Sequence, residues 1–333
     1  MKAYIIRKYN KRDKLESVEM PEPIMKEDDV LVEVHAAGVN LLDSKIKNGD
    51  FKLILPYKLP LILGHDVAGI VLKVGSRVKK FKVGDEVYAR PADYRIGTFA
   101  DRIAMNENDV AIKPKNISME EAASIPLVGL TAYQALIEKA KLKKGQKVLI
   151  QAGSGGVGSF AIQLAKHLGA TVATTTSAPN FELVKSLGAD IVIDYKKEDF
   201  EIILKDYDLV LHSQDAKTLQ KSLRILKPGG KLISISGPPD SDFAKEINSS
   251  WFIKSILSLL SLRVSKKAKQ LKVTFQFLFM RAEGKQLSEI TELINSGQIR
   301  PVVDKVFPYE KVNDAMEYVE SGRAKGKVVV KVK

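Results

Sequence analysis

The sequence predicts an α/β chain, a β-rich amino-terminal module followed by a doubly wound parallel sheet. Three observations predict it. Residues 148–150 form a short apolar run, glycines follow at 153, 155, 156 and 158, and Phe160, Ala161, Leu164, Ala165 and Leu168 then recur at helical spacing. That order reads strand, glycine turn, helix. Strand-like runs at 171–176, 191–194, 209–212 and 232–236 then alternate with helical segments, which implies parallel strands joined by right-handed crossovers. Before residue 120, short strand-like runs are separated by turn residues.

In chain order, the first runs lie at 2–6, 29–36, 69–74, 86–89 and 100–105, punctuated by Pro21 and Pro23, Gly49-Asp50, Gly75-Ser76, Gly84-Asp85 and Gly97. Residues 119–123 and 130–140 read as helices, and 142–145 as a polar turn. The glycine turn spells G-x-G-x-x-G at Gly153, Gly155 and Gly158, with Ser154, Gly156 and Val157 between them. The first glycine permits a tight turn, the second a close backbone approach to a pyrophosphate, and the third close packing of helix on strand. The helix N-terminus then offers N–H groups to the phosphates. A strand before the motif and a helix after it make this a dinucleotide fingerprint. Helices follow at 180–187 and, most clearly, at 218–226. The late chain reads as strand 273–280, helix 286–295, and further strand and helix pieces at 302–307, 310–321 and 327–332, with no internal repeat.

A length of 333 residues suggests about two domains. Composition is that of a soluble globular protein, 45% hydrophobic, with no run long enough to span a membrane and no apolar leader, so the expected compartment is the cytoplasm. There is no cysteine, which excludes disulfides, thiolate nucleophiles and cysteine-ligated zinc. The net charge of +13 is spread without an aromatic-interleaved basic patch, so nucleic acid is not an expected partner. A lysine-rich surface or an attraction for anionic ligands accounts for it. Residues 251–262 (WFIKSILSLLSL) precede RVSKKAKQ. They read as a wall or lid helix over an apolar cleft, with a membrane-surface helix as the alternative.

Several segments together resemble one family: AAGVNLLD at 36–43, GHDVAG at 64–69, VGSRVKKFKVGDEVYA at 74–89, AASIPLVGLTAYQAL at 122–136, AGSGGVG at 152–158, SLGADIVIDY at 186–195, KPGG at 227–230 and GRAKGKVVV at 322–330. In order and spacing the chain resembles the zinc-independent branch of the medium-chain dehydrogenase/reductase superfamily, the quinone oxidoreductase-like and enoyl-reductase-like proteins. The resemblance implies a GroES-like β-rich catalytic domain at 1–121 and 282–333, a Rossmann NADP-binding domain at 122–281, and a nicotinamide held in the cleft between them. It implies hydride transfer from NADPH to a quinone or an α,β-unsaturated carbonyl compound, a small-molecule partner. A homodimer paired through the late strand at 273–280 is a further expectation.

Zinc members of that superfamily carry a ligand cysteine where this chain has Asn40, and His65 alone matches a zinc-ligand histidine. One histidine without cysteine does not build such a site. Downstream of the glycines, the second strand ends without the acid that grips the ribose of NAD; Thr175, Ser177 and Asn180 stand there instead, groups able to donate to a 2′-phosphate. The expected cofactor is therefore NADPH. The resemblance adds Thr131, Tyr195, Ser236, Gly237, Phe279, Met280 and Lys327 to the cofactor set. It implies Asn40 and Asp43 as cleft residues, and Lys45, which follows them closely, completes the expected catalytic set: Asn40 as an amide donor, Asp43 as an orienting acid, and Lys45 as either an ammonium donor or a solvated surface lysine. A non-catalytic NADPH-binding module and a membrane-surface quinone reductase are the alternative readings.

Overall fold

The computed structural model describes residues 1–240, 243 and 251–333, with backbone alone over 251–258. It divides into two compact units, Met1–Leu130 with Arg281–Lys333, and Thr131–Met280.

In the first unit, β1 (Lys2–Ile6) pairs antiparallel with β2 (Glu16–Glu19). The long β3 (Asp29–Val39) runs directly into α1 (Leu41–Asn48), which stops at Gly49 in the left-handed region, φ 84°. β4 (Leu61–Ile62) completes a small sheet with β1, and β5 (Asp66–Val74) follows. β6 (Glu86–Ala89), β7 (Arg102–Asn106) and β8 (Val110–Ile112) follow in turn. α2 (Met119–Ala123) opens on a capping box, with the Ser118 hydroxyl accepting from the Glu121 N–H and the Glu121 carboxylate accepting from the Ser118 N–H. α3 (Pro126–Tyr133) carries the chain past Leu130 into the second unit, which opens on a π-helical turn at Gln134–Lys139, where the Ala140 N–H reaches back five residues to the Ala135 carbonyl at 2.9 Å. The helix expected at 130–140 is thus two pieces.

In the second unit, β9 (Lys147–Ile150), β10 (Thr171–Thr176), β11 (Ile191–Asp194), β12 (Tyr207–His212), β13 (Leu226–Ser234) and β14 (Thr274–Phe277) form one parallel sheet in the order β11-β10-β9-β12-β13-β14. The order reverses between β9 and β12, and ligands of such sheets bind outside the strand ends at that reversal. Val148, Leu149 and Ile150 are fully buried, as central strands covered on both faces require. α4 (Gly156–His167), α5 (Phe181–Ser186), α6 (Phe200–Ile203) and α7 (Ala216–Arg224) connect the strands. α8 (Trp251–Gln270) carries the apolar segment singled out in the sequence. In its described part Ser261, Val264 and Ala268 are buried, while Leu259, Leu260 and Leu262 are exposed; the side chains of 251–258 lie outside the described residues. Among the described residues no helix is long and apolar enough to cross a membrane.

The tail supplies α9 (Gly284–Asn295), β15 (Val303–Pro308), α10 (Val312–Glu320) and β16 (Lys327–Lys331). It returns to the first unit, where the large sheet runs β15-β16-β3-β5-β6-β8 with β7 also on β3. β16 lies antiparallel to β3 with Val328 opposite Val39. That register decides where Lys327 points its ammonium. The structure breaks between units later than the expected residue 122, because α2 packs on β3 and β5. The late strand is shorter than expected: Phe279 and Met280 lie beyond β14.

Candidate active site

Two clusters carry chemistry, one in each unit. The first is built where β3 ends and α1 begins. Asp43, in the first turn of α1, accepts from the Asn40 backbone N–H at 2.8 Å and pairs its other oxygen with His65 Nδ1 at 2.5 Å. Asn40, Asp43, His65, Asp66 and Lys327 are all buried. Asn40 Nδ2 donates to Asp66 Oδ2 at 2.9 Å and to the Gly38 carbonyl at 3.4 Å. The other Asp66 oxygen accepts from the Leu127 N–H at 2.7 Å. Lys327 Nζ donates to the Val39 carbonyl at 3.2 Å, to Asp66 Oδ2 at 3.0 Å and to Asn40 Oδ1. His65 Nε2 is buried with no hydrogen-bond partner.

This geometry changes three sequence expectations. Both amide hydrogens of Asn40 are committed inside the cluster, so it holds neighbours in place and has no N–H left for a substrate oxygen. Lys327, expected to face the cofactor, spends its three N–H groups on three protein oxygens. Lys45 is exposed on α1 and the structure does not bring it into the buried cluster. The ammonium in that cluster belongs to Lys327, 282 positions later (327 − 45). No local pattern exposes such a pairing; it arises from β16 returning beside β3.

The second cluster surrounds the glycine turn. Ala152, a non-glycine residue at φ 51°, begins the turn. A β-carbon on Gly153 would meet Thr174 Oγ1 at 2.1 Å, and one on Gly158 would meet the Ala152 carbonyl at 2.3 Å. Both positions therefore require glycine for close approach. One on Gly155 would meet nothing nearer than the Ala152 carbonyl at 3.3 Å, which leaves that side clear for a ligand. The N–H groups of Gly156, Val157 and Gly158 open α4 and have no acceptor within the helix.

Beside the turn, Ser154 Oγ accepts from Thr176 Oγ1 at 2.9 Å and from Asn180 Nδ2 at 3.2 Å. Asn180 Nδ2 also approaches Ser177 Oγ at 3.3 Å. Thr175 Oγ1 accepts from the Ala152 N–H at 3.2 Å. Since these oxygens act as acceptors here, the hydroxyl hydrogens of Ser154, Ser177 and Thr175 are available to an outside acceptor. Among the described residues no carboxylate is hydrogen-bonded into this group. The sequence reading found Ser154, Thr175, Ser177 and Asn180 but not Thr176, whose side chain ties strand to turn.

The remaining expected residues fall into separate environments. Ser236 Oγ donates to the Gln214 carbonyl at 2.7 Å and the Gly237 N–H donates to Ser234 Oγ at 2.7 Å, just past β13. Ser234 Oγ also meets His212 Nδ1 at 3.0 Å, and His212 Nε2 meets the Asp215 carbonyl at 3.2 Å. Burial pushes the His212 pKa down to about 4. Thr131 is buried in α3 and Met280 is buried beyond β14, while the Phe279 ring packs on Phe243 at 5.4 Å. Tyr195 is 60% exposed at the end of β11.

Comparison with known proteins places the chain in a family. Residues 26–115 match the alcohol dehydrogenase GroES-like domain and residues 187–330 match the zinc-binding dehydrogenase model. A 2-methylene-furan-3-one reductase of Solanum lycopersicum is 39% identical, the match covering 99% of this chain and 79% of that protein. The chloroplastic NADPH-dependent alkenal/one oxidoreductase of Arabidopsis thaliana is 38% identical over the same shares, 99% and 79%. The chain belongs to the quinone oxidoreductase-like branch of the medium-chain dehydrogenase/reductase family. Its fold is likewise that of the Coxiella burnetii quinone oxidoreductase, with TM-score 0.87 and 31% identity, covering 100% of this chain and 99% of that one. The Escherichia coli quinone oxidoreductase, solved with NADPH, aligns at TM-score 0.83 and 28% identity over 100% of both chains.

One family model is described as zinc-binding, so this family member's donors bear testing against zinc. They do not fit it. The oxygens of Val39, Asn40 and Asp66 already surround an ammonium, and the chain offers no thiolate. The nucleotide fits better: the turn leaves the Gly155 side clear and presents hydroxyl donors without a carboxylate.

Proposed function

We propose that the chain is an NADPH-dependent reductase of quinones and α,β-unsaturated carbonyl compounds that works without catalytic zinc. The observation that carries the cofactor choice is the hydroxyl group around Ser154: donors where a 2′-phosphate would sit, and no acid to repel it. Two relatives named as an NADPH-dependent alkenal/one oxidoreductase and a 2-methylene-furan-3-one reductase support the reaction class. Bound NADPH supplies a hydride from C4 of the nicotinamide.

In this reading Gly153, Ser154, Gly155, Gly156, Val157 and Gly158 take the pyrophosphate, helped by the open N-terminus of α4. Ser154, Thr175 and Ser177 offer their hydroxyl hydrogens to the 2′-phosphate, Asn180 holds Ser154 and Ser177 through its amide, and Tyr195 covers the adenosine. Thr131, Ser236, Gly237, Phe279 and Met280 hold the nicotinamide half. Asn40 and Asp43 position α1, and the exposed ammonium of Lys45 donates to the oxygen on which charge develops.

The test is NADPH oxidation in the presence of a chelator, with a para-quinone and a conjugated enone as acceptors and NADH as control donor. Turnover with NADPH, slower with NADH and insensitive to the chelator, is the expected result. Tight NADPH binding with no turnover on either acceptor would move the chain to a non-catalytic nucleotide-binding role.

A further inference from the structure

The buried ammonium of Lys327 has no counterpart in the proposed chemistry, and its surroundings define it closely. It is 5% exposed and directs three N–H groups to three oxygens: the Val39 carbonyl, Asn40 Oδ1 and Asp66 Oδ2. Asp66 is fully buried, and its two oxygens also receive Asn40 Nδ2 and the Leu127 N–H. The three oxygens come from β3, from the residue that caps α1, and from the start of β5; the cation comes from β16. A fixed positive charge thus joins three strands at the point where α1 begins.

We propose that Lys327 is a positioning residue, an internal cation that holds Asn40, and through it the start of α1, in the reactive arrangement, and that its oxygens form a cradle for a small alkylammonium ion. The catalytic half of this inference rests on the reductase reading above; the cradle does not. The ammonium neutralises Asp66, which burial would otherwise leave uncompensated. It fixes the Asn40 carboxamide by holding its oxygen while Asp66 and Gly38 hold its nitrogen. The Asn40 backbone N–H then meets Asp43, and Asp43 meets His65. Orientation therefore passes from β16 to the helix that bears Lys45. A mobile metal is not needed at this position because the chain supplies the charge itself.

Two variants test this on the full chain. Lys327→Met keeps most of the packing and removes the charge. Its kcat with an enone should fall about tenfold or more while the Kd for NADPH stays within about twofold, since the nucleotide cluster lies in the other unit. Lys327→Ala opens space along the vanished stem. Its thermal midpoint should fall and then rise again in ethylammonium chloride, but not in sodium chloride or tetramethylammonium chloride at equal ionic strength; wild-type protein should respond equally to all three. A Lys327→Met enzyme with wild-type kcat overturns the positioning role. A Lys327→Ala protein whose midpoint no alkylammonium raises overturns the cradle. If wild-type protein binds NADPH yet reduces no acceptor, the reductase reading fails, and the ethylammonium response still reports on the cradle.

Discussion

His212 shows how one buried side chain ties stability to pH. It ends β12 beside the point where the strand order reverses, and both ring nitrogens are engaged, Nδ1 with the Ser234 hydroxyl and Nε2 with the Asp215 carbonyl. The Asp215 carbonyl can only accept, so Nε2 carries the imidazole hydrogen and Nδ1 accepts from the Ser234 hydroxyl, whose oxygen accepts from the Gly237 N–H. A neutral ring satisfies this arrangement and a charged one does not. Burial accordingly lowers the pKa from the usual 6.5 to about 4. The unfolded chain binds the proton first as pH falls, so this contribution is complete above about pH 6.5 and is lost towards pH 4; a displacement of that size is worth about 3 kcal/mol. Urea unfolding between those limits should show the slope, and His212→Gln should flatten it. An unchanged slope would assign it to the carboxylates. In the sequence His212 had no ligand spacing and drew no role; only its place at the end of the fourth strand of the sheet marked it.

At the scale of elements, α1 is the piece that the sequence reading passed over. Its residues stood out as a motif, but eight residues with little apolar periodicity do not announce a helix. The signals present were the terminal ones: Asn40 before the helix, Asp43 three residues on, and Gly49 after it. Asp43 does two jobs, closing the helix start through the Asn40 N–H and holding His65 through Nδ1. Asp43→Ala would leave both donors buried without partners, at a cost of about 3–5 kcal/mol. Asp43→Asn, which retains one acceptor, should cost less than Asp43→Ala. Thermal or urea midpoints of the two variants check the order, and equal losses would mean that the His65 contact contributes nothing. The π-helical turn after α3 was also hidden, since a single-residue insertion leaves the apolar composition unchanged.

At the scale of the whole molecule, a net charge of +13 meets a cofactor with several phosphate charges. Long-range attraction raises the rate and tightness of binding of such an anion and is screened by salt, with a Debye length of about 10 Å at 0.1 M. The Kd for NADPH should therefore weaken several-fold between low salt and about 0.5 M, and more than that for NADH, which lacks the 2′-phosphate. Fluorescence titration at three ionic strengths decides it; parallel slopes for the two nucleotides would remove the 2′-phosphate from the hydroxyl group around Ser154. The discontinuous build of the first unit also belongs to this scale, because residues 281–333 supply strands to a sheet begun by residues 29–112.

The order of strands and helices in the second unit, and the glycine turn with its hydroxyl neighbours, are legible in the residues alone. Those features are local: spacing over a few residues sets a strand, a turn or a helix start, and the side chains that bond around Ser154 lie within 27 residues of the turn, from Gly153 to Asn180 (180 − 153). The partners of Asn40 and Lys327, in contrast, emerge from the folded chain alone. Their hydrogen bonds join residues 287 positions apart, through strands whose register no local pattern encodes. A side chain's spare donors can be counted only once its partners are known.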